Sequence, residues 1–215
     1  YLNTNEHTRA VIEVETRDAR FIKWCRQNFP LHSYHRLAPI MHQLRAIKSK
    51  YEIELIQQAC NITEKGFRRL LKFIKPGVME YEIEAELIHE FVRNRSQGFA
   101  YGPIIASGGS ACVLHYVENN KPCKNGDLIL LDVAAEYGNY ASDLTRCVPA
   151  NGKFSKRQKE VYNAVLRVMR AATKMLVVGN TIEKYHVEVG KLMEKELIGL
   201  GLLDAKAVAK QDKNK

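Results

Sequence analysis

Asp132 and Asp143 lie in the stretch Leu128-Ile-Leu-Leu-Asp132-Val-Ala-Ala-Glu-Tyr-Gly138-Asn139-Tyr-Ala-Ser-Asp143-Leu-Thr-Arg146. Folded as a β-hairpin, this stretch puts two carboxylates on one face, which is half of a site for two divalent metal ions. A two-residue loop at Gly138-Asn139 pairs Tyr137 with Tyr140, Ala134 with Asp143 and Asp132 with Thr145, and directly opposed residues share a face. Asp132 and Asp143 are then diagonal neighbours about 7–8 Å apart at the backbone, within reach of metals about 3.5–4 Å from one another. A four-residue loop from Tyr137 to Tyr140 keeps this pairing, whereas an odd-length loop shifts it and needs a bulge. The alternative is a pair of solvated surface carboxylates. Against it stands the apolar run Leu128 to Leu131, the pattern of a strand covered on both faces.

His115 sits in Ala111-Cys-Val-Leu-His115-Tyr-Val-Glu-Asn119, expected as a strand shortly before the Asp132 strand. An imidazole there can bind substrate or hold a proton on the reacting group beside a metal site. It can equally be a core histidine satisfied by a backbone carbonyl, and the residues alone leave both open. Two Glu-x-x-His pairs, Glu86 with His89 and Glu183 with His186, each share a predicted helix face. Such pairs belong to di-iron bundles, but the strand-rich stretch between them does not fit bundle connectivity. Surface Glu and His at helical spacing explain them better. Two divalent ions take about eight to ten ligands, of which two aspartates supply about half at most. Residues 155–203 read as almost wholly helical, so the missing ligands are expected beyond residue 215.

The elements that position these residues follow from periodicity. An amphipathic helix is predicted over residues 16–29, carrying Phe21, Ile22, Trp24, Cys25 and Phe29 and stopped by Pro30. A linker from Leu31 to Ile40, with Pro39, follows. A long helix over 49–74 has the stripe Ile53, Ile56, Ala59, Cys60, Phe67, Leu70, Leu71 and Ile74, ended by Pro76-Gly77. The next, over 80–95, carries Ile83, Leu87 and Phe91, with Ile88 and Val92 widening the stripe. Strands are predicted at 10–15, 100–106, 111–116, 127–137 and 140–148. Two helices close the pattern, one opened by the capping box Ser155 and Gln158, the other capped by Thr181. Helices, then an antiparallel meander, then helices give an α+β class with helices packed on one face of the sheet. The lack of alternating βαβ units and of phosphate-loop glycine motifs argues against a doubly wound nucleotide-binding sheet.

The 215 residues, 46% hydrophobic, suffice for a real core. A net charge of +9 is spread along the helices and reads as a solvated surface rather than a nucleic-acid footprint. The five cysteines include no Cys-x-x-Cys pair and read as reduced thiols. No apolar run approaches a membrane span, and the first residues do not read as a secretory signal, so a cytoplasmic home is expected and no membrane partner. A chain without an initial Met and with an abrupt Gln211-Asp-Lys-Asn-Lys215 ending is expected to be a fragment of a longer polypeptide.

Taken together, the chain resembles the pita-bread metallopeptidases, most closely the aminopeptidase P (Xaa-Pro aminopeptidase) branch. The resemblance is carried by Arg45-Ala-Ile-Lys-Ser-Lys-Tyr-Glu-Ile, Lys75-Pro-Gly77, Ala106-Ser-Gly-Gly-Ser, Leu114-His115-Tyr-Val-Glu-Asn119, Asn125-Gly-Asp127, Leu131-Asp132-Val, Tyr140-Ala-Ser-Asp143-Leu-Thr-Arg146 and Pro149-Ala-Asn-Gly-Lys-Phe154. It implies Asp132 and Asp143 as metal ligands, His115 as a catalytic residue that contacts substrate, and Tyr101 as a substrate-binding tyrosine beside the site. It implies two divalent metals, usually manganese with zinc or cobalt as options, and peptides with proline at the second position as substrates. A homo-oligomer is expected. Residues 1–40 would be the end of an N-terminal domain with its linker, and residues 41–215 the first half of the catalytic domain. One His and two Glu ligands would lie in the second half, so this piece alone is expected to be inactive. Prolidases share some of these elements, but Val117-Glu118-Asn119 favours aminopeptidase P. The rival from another class is a metal-free pita-bread module that binds histones or RNA.

Overall fold

A computed structural model describes residues 1–4 and 14–210. Residues 10–13 of the expected first strand and the tail 211–215 lie outside the described residues. The chain divides into two compact units, Tyr1–Leu55 and Ile56–Lys215.

In the first unit, α1 (Arg17–Asn28) begins as expected, with the Thr16 hydroxyl accepting from the Ala19 amide at 3.2 Å. Cys25 is buried on it, whereas Phe21, Trp24 and Phe29 stay about half exposed, Phe21 stacked on Trp24 and Phe29 meeting Trp24 edge to face. The expected linker at 31–40 is corrected at its end. Pro39 opens α2 (Ala38–Ala46) instead of breaking a chain, because the first helical turn has no use for the N–H that proline lacks.

The division between units falls within α3 (Lys50–Phe73), which is followed by α4 (Glu80–Arg93). Ile62, Phe67 and Leu70 of α3 pack with Ile83, Leu87 and Phe91 of α4 in one buried cluster. The two helices approach closely at Gly66, where an added Cβ would stand 2.7 Å from Cε1 of Phe91. The cluster continues onto one face of a sheet formed by β1 (Ile104–Ser107), β2 (Leu128–Asp132) and β5 (Thr145–Pro149), in the antiparallel order β1-β2-β5. The chain ends in α5 (Lys156–Thr173), α6 (Ile182–Gly199) and α7 (Ala205–Ala209), the first two opened by the predicted caps Ser155 and Thr181. The predicted α+β arrangement, with α3 and α4 on one sheet face, is what the structure shows.

Two expectations about the strands change. Ile129 and Leu131 of β2 are fully buried but Leu128, Leu130 and Asp132 are only half-buried, so within this chain β2 is covered on one face and not on both. The segment 111–116 is not a strand. Residues Gly108–Cys112 form a 3-10 turn and the chain turns again at Leu114 and His115. A strand there would pair with the outer edge of β1, and side chains already hold that edge. The Ile105 amide donates to Asn119 Oδ1 at 3.0 Å and the Ser107 amide to Glu80 Oε1 at 2.7 Å.

Candidate metal centre

The two ladders of the hairpin keep the register read from the sequence, whereas the expected pairing of Ala134 with Asp143 falls in the gap between them. Asp132 pairs with Thr145 in β2 and β5, and Tyr137 pairs with Tyr140 where β3 (Glu136–Tyr137) meets β4 (Tyr140–Ala141). Gly138 and Asn139 have φ of 59° and 66°, the positive pair that a type I′ turn requires. Between these two short ladders, residues 133–135 and 142–144 leave regular strand geometry. They stay connected through Val133 N to Leu144 O and Ser142 N to Ala135 O, both 3.2 Å. Helix α3 secures this gap. The Thr63 hydroxyl accepts from the Ala135 amide at 2.8 Å and shares a 2.7 Å hydrogen bond with the Ser142 hydroxyl, all of it buried. Asp143 follows Ser142 directly, so the pinned gap sets where its carboxylate points.

The two aspartates converge. The Tyr101 phenol lies 2.7 Å from Asp132 Oδ1 and 3.0 Å from Asp143 Oδ1. Burial first, and then the hydrogen bonds to the two carboxylates, raise the Tyr101 phenol above its ordinary value of 10.0, which keeps it a donor. A phenol has one proton, so two anionic oxygens share a single donor. That arrangement leaves negative charge undercompensated and suits a hard divalent cation, which carboxylate oxygens bind readily. Among the described residues no group of three or more His, Cys, Asp or Glu side chains gathers as a metal cage. Asp132 and Asp143 therefore fit part of a metal site and do not complete one.

His115 stands apart from this contact. It is exposed, lies in the turn after the 3-10 segment, and has φ of 55°. The structure thus joins Tyr101, Asp132 and Asp143 and holds His115 on a separate loop. A cavity of about 470 Å³ is lined by Asp143, Thr63, Phe67 and Arg146 among others, but not by Tyr101, Asp132 or His115, so it borders only one side of the centre. The Glu-x-x-His pairs serve no common site. Glu86 is paired with Arg69 at 2.5 Å, while His89, Glu183 and His186 are exposed. Sequence reasoning missed Thr63, Ser142, Glu80 and Asn119, which fix the backbone around the candidate residues. Ser142 and Asn119 stand in stretches that carry the family resemblance, but nothing in their spacing marks them as residues that hold the backbone.

Comparison with known proteins gives the family and the fold. The model of metallopeptidase family M24 matches residues 54–211. The chain is 42% identical over 165 residues to a Xaa-Pro aminopeptidase of Haemophilus influenzae, covering 77% of this chain and 38% of that protein. It superposes on a solved aminopeptidase of Pseudomonas aeruginosa with a TM-score of 0.80 and 35% identity, over 87% of this chain and 44% of that one. A variant of Escherichia coli aminopeptidase P in complex with substrate gives 0.78 and 35% identity, over 81% and 40%. The chain spans less than half the length of these relatives, and its fold is part of their pita-bread fold.

Proposed function

The chain belongs to metallopeptidase family M24, and on that premise we propose that it forms the part of a Xaa-Pro aminopeptidase that carries two metal ligands, Asp132 and Asp143. The observation that carries this reading is the convergence of both carboxylates on one phenol proton, in a chain whose curated relatives include Xaa-Pro aminopeptidases. Residues 1–40 belong in this reading to an N-terminal domain and its linker, and residues 41–215 to the first half of the catalytic domain. One His and two Glu ligands come from chain beyond residue 215, consistent with the greater length of the relatives.

Each residue then has a task. Asp132, at the end of β2, and Asp143, in the gap between β4 and β5, hold the metals by their carboxylate oxygens. Tyr101 orients both carboxylates through its proton and, in this reading, also contacts the substrate. His115 hydrogen-bonds the reacting group and holds a proton at the scissile amide. A bound pair of divalent ions, manganese in this reading, supplies an activated water and a Lewis acid for the scissile carbonyl.

The full-length protein is expected to cleave a peptide beginning Arg-Pro-Pro and to spare one beginning Arg-Ala-Ala. Preference for the alanine peptide overturns the assignment. The 215-residue chain alone is expected to be inactive and to bind manganese weakly by calorimetry. Micromolar binding of two manganese ions together with Xaa-Pro cleavage would show that this chain completes its own site. Sedimentation of the full-length protein tests the accompanying expectation of a homo-oligomer.

A further inference from the structure

Glu80 is a fully buried carboxylate in the first turn of α4. Its Oε1 accepts from the Ser107 amide at 2.7 Å, and its Oε2 accepts from the Tyr116 hydroxyl at 2.8 Å and the Lys121 amide at 3.0 Å. One side chain thus joins α4 to the end of β1 and to two points of the loop that follows, the first of them the residue next to His115. Asn119 closes the same loop onto β1. Its Oδ1 accepts from the Ile105 amide at 3.0 Å, and its Nδ2 donates to Pro103 O at 3.0 Å and to Glu84 Oε2 at 2.9 Å. Side chains here do the work of a neighbouring strand.

The loop they hold is strained. Four non-glycine residues among those described have positive φ, and two of them, His115 at 55° and Asn119 at 44°, lie in this one loop. Asparagine and histidine enter that conformation more readily than most residues, yet it is uncommon for either, and a loop that uses it twice is held there by its surroundings. We propose that Glu80 is a positioning residue for His115, acting through Tyr116 and the Lys121 amide with Asn119 as its partner. The proposal rests on the reading of His115 as a residue of the reaction.

The requirement is specific to a carboxylate. Three donors aim at two oxygens, and a carboxylate only accepts. A glutamine turns its amide hydrogens on at least one of those donors in either orientation. In the full-length protein, Glu80→Gln is expected to lower kcat on an Xaa-Pro peptide between about tenfold and a hundredfold, the scale of a slightly misplaced catalytic group. Metal content should not change. In the His115→Ala background the same substitution should change kcat less than about twofold, because a residue acting through His115 has nothing left to position. The imidazole signal of His115 in a nitrogen-labelled sample, single in the unsubstituted protein, should broaden or double. Tyr116→Phe, which removes one of the three hydrogen bonds and keeps the buried ring, should show the same pattern more weakly. It carries the test if Glu80→Gln does not fold.

An unchanged imidazole signal in both variants overturns the proposal, as does a full loss of kcat repeated in the His115→Ala background. If the imidazole signal responds but the unsubstituted protein cleaves no Xaa-Pro peptide, the positioning role stands and the peptidase reading falls.

Discussion

The hairpin that carries Asp132 and Asp143 and the loop that carries His115 are held by different means. In the hairpin most of the backbone pairs to backbone: β2 faces β5 through five consecutive partners, the turn at Gly138 and Asn139 sets the register locally, and only the gap before Asp143 leans on the Thr63 and Ser142 hydroxyls. In the loop, backbone pairing reaches only residues 121–123, and the stretch from His115 to Asn119 is tied by the side chains of Glu80 and Asn119, with the Tyr116 to Glu80 bond joining residues 36 positions apart. A ladder places a side chain by a repeating rule, whereas a loop held by a few buried polar groups depends on each of them. The first should resist single substitutions in its surroundings, and the second should not.

The largest effect tests the hairpin at its ligands. Asp132→Asn keeps the shape and the strand pairing but removes a charge, and in the full-length protein it should lower kcat/KM on the order of a thousandfold or more, with loss of bound metal. Metal analysis beside the peptidase assay checks both. Retained metal with retained activity would place the centre elsewhere. His115→Ala tests the loop at its tip. It should lower kcat by about a hundredfold, the ordinary scale of proton transfer, and leave metal content unchanged. Loss of metal in that variant would make His115 a ligand and dissolve the contrast between the two regions.

The same contrast explains what could be read from the sequence. The hairpin was legible because its turn residues and its apolar run are local signals, and the pairing of Asp132 with Thr145 followed from them. The burial of Ile83, Leu87 and Phe91 was legible from helical spacing. The buried face of α3 was read less well. Ile53 and Leu71, expected in its stripe, are 57% and 62% exposed, while Thr63 and Gly66 lie on the buried side. Gly66 is there because α4 comes too close for a Cβ, and Thr63 because the gap in the hairpin needs an acceptor. Neither residue announces itself as core by hydrophobicity. The His115 loop reads as a strand for a related reason: its partners lie on α4, and no local pattern reveals them.

Thr63 gives the next smaller effect. Thr63→Val preserves volume and removes the hydroxyl, leaving the buried Ala135 amide without its acceptor, which should cost about 1–3 kcal/mol of stability. Denaturant unfolding measures it. If the hairpin is held mainly by its ladders, activity at moderate temperature should survive this loss; a collapse of metal binding in the folded variant would show that α3, and not the ladder, positions Asp143.

The smallest effect concerns pH and belongs to the loop. Burial, and then the hydrogen bond to Glu80, raise the Tyr116 phenol above its ordinary value of 10.0. The charged groups facing it are the Glu80 carboxylate from α4 and the Lys121 ammonium, whose Nζ lies 5.3 Å from the ring centre. Because the folded value is higher than the unfolded one, the unfolded chain releases the Tyr116 proton first. The stability this tyrosine contributes is therefore fully present below pH 10.0 and is lost progressively as pH rises from there towards the folded value. Melting temperatures followed into that alkaline range should fall less steeply in Tyr116→Phe than in the unsubstituted protein, since phenylalanine has no proton to lose. Equal slopes would mean that the loop releases Tyr116 to solvent before global unfolding. The hydrogen bond to Glu80 would then be too weak to hold the turn at His115, and the difference between ladder and loop would be larger than the distances alone imply.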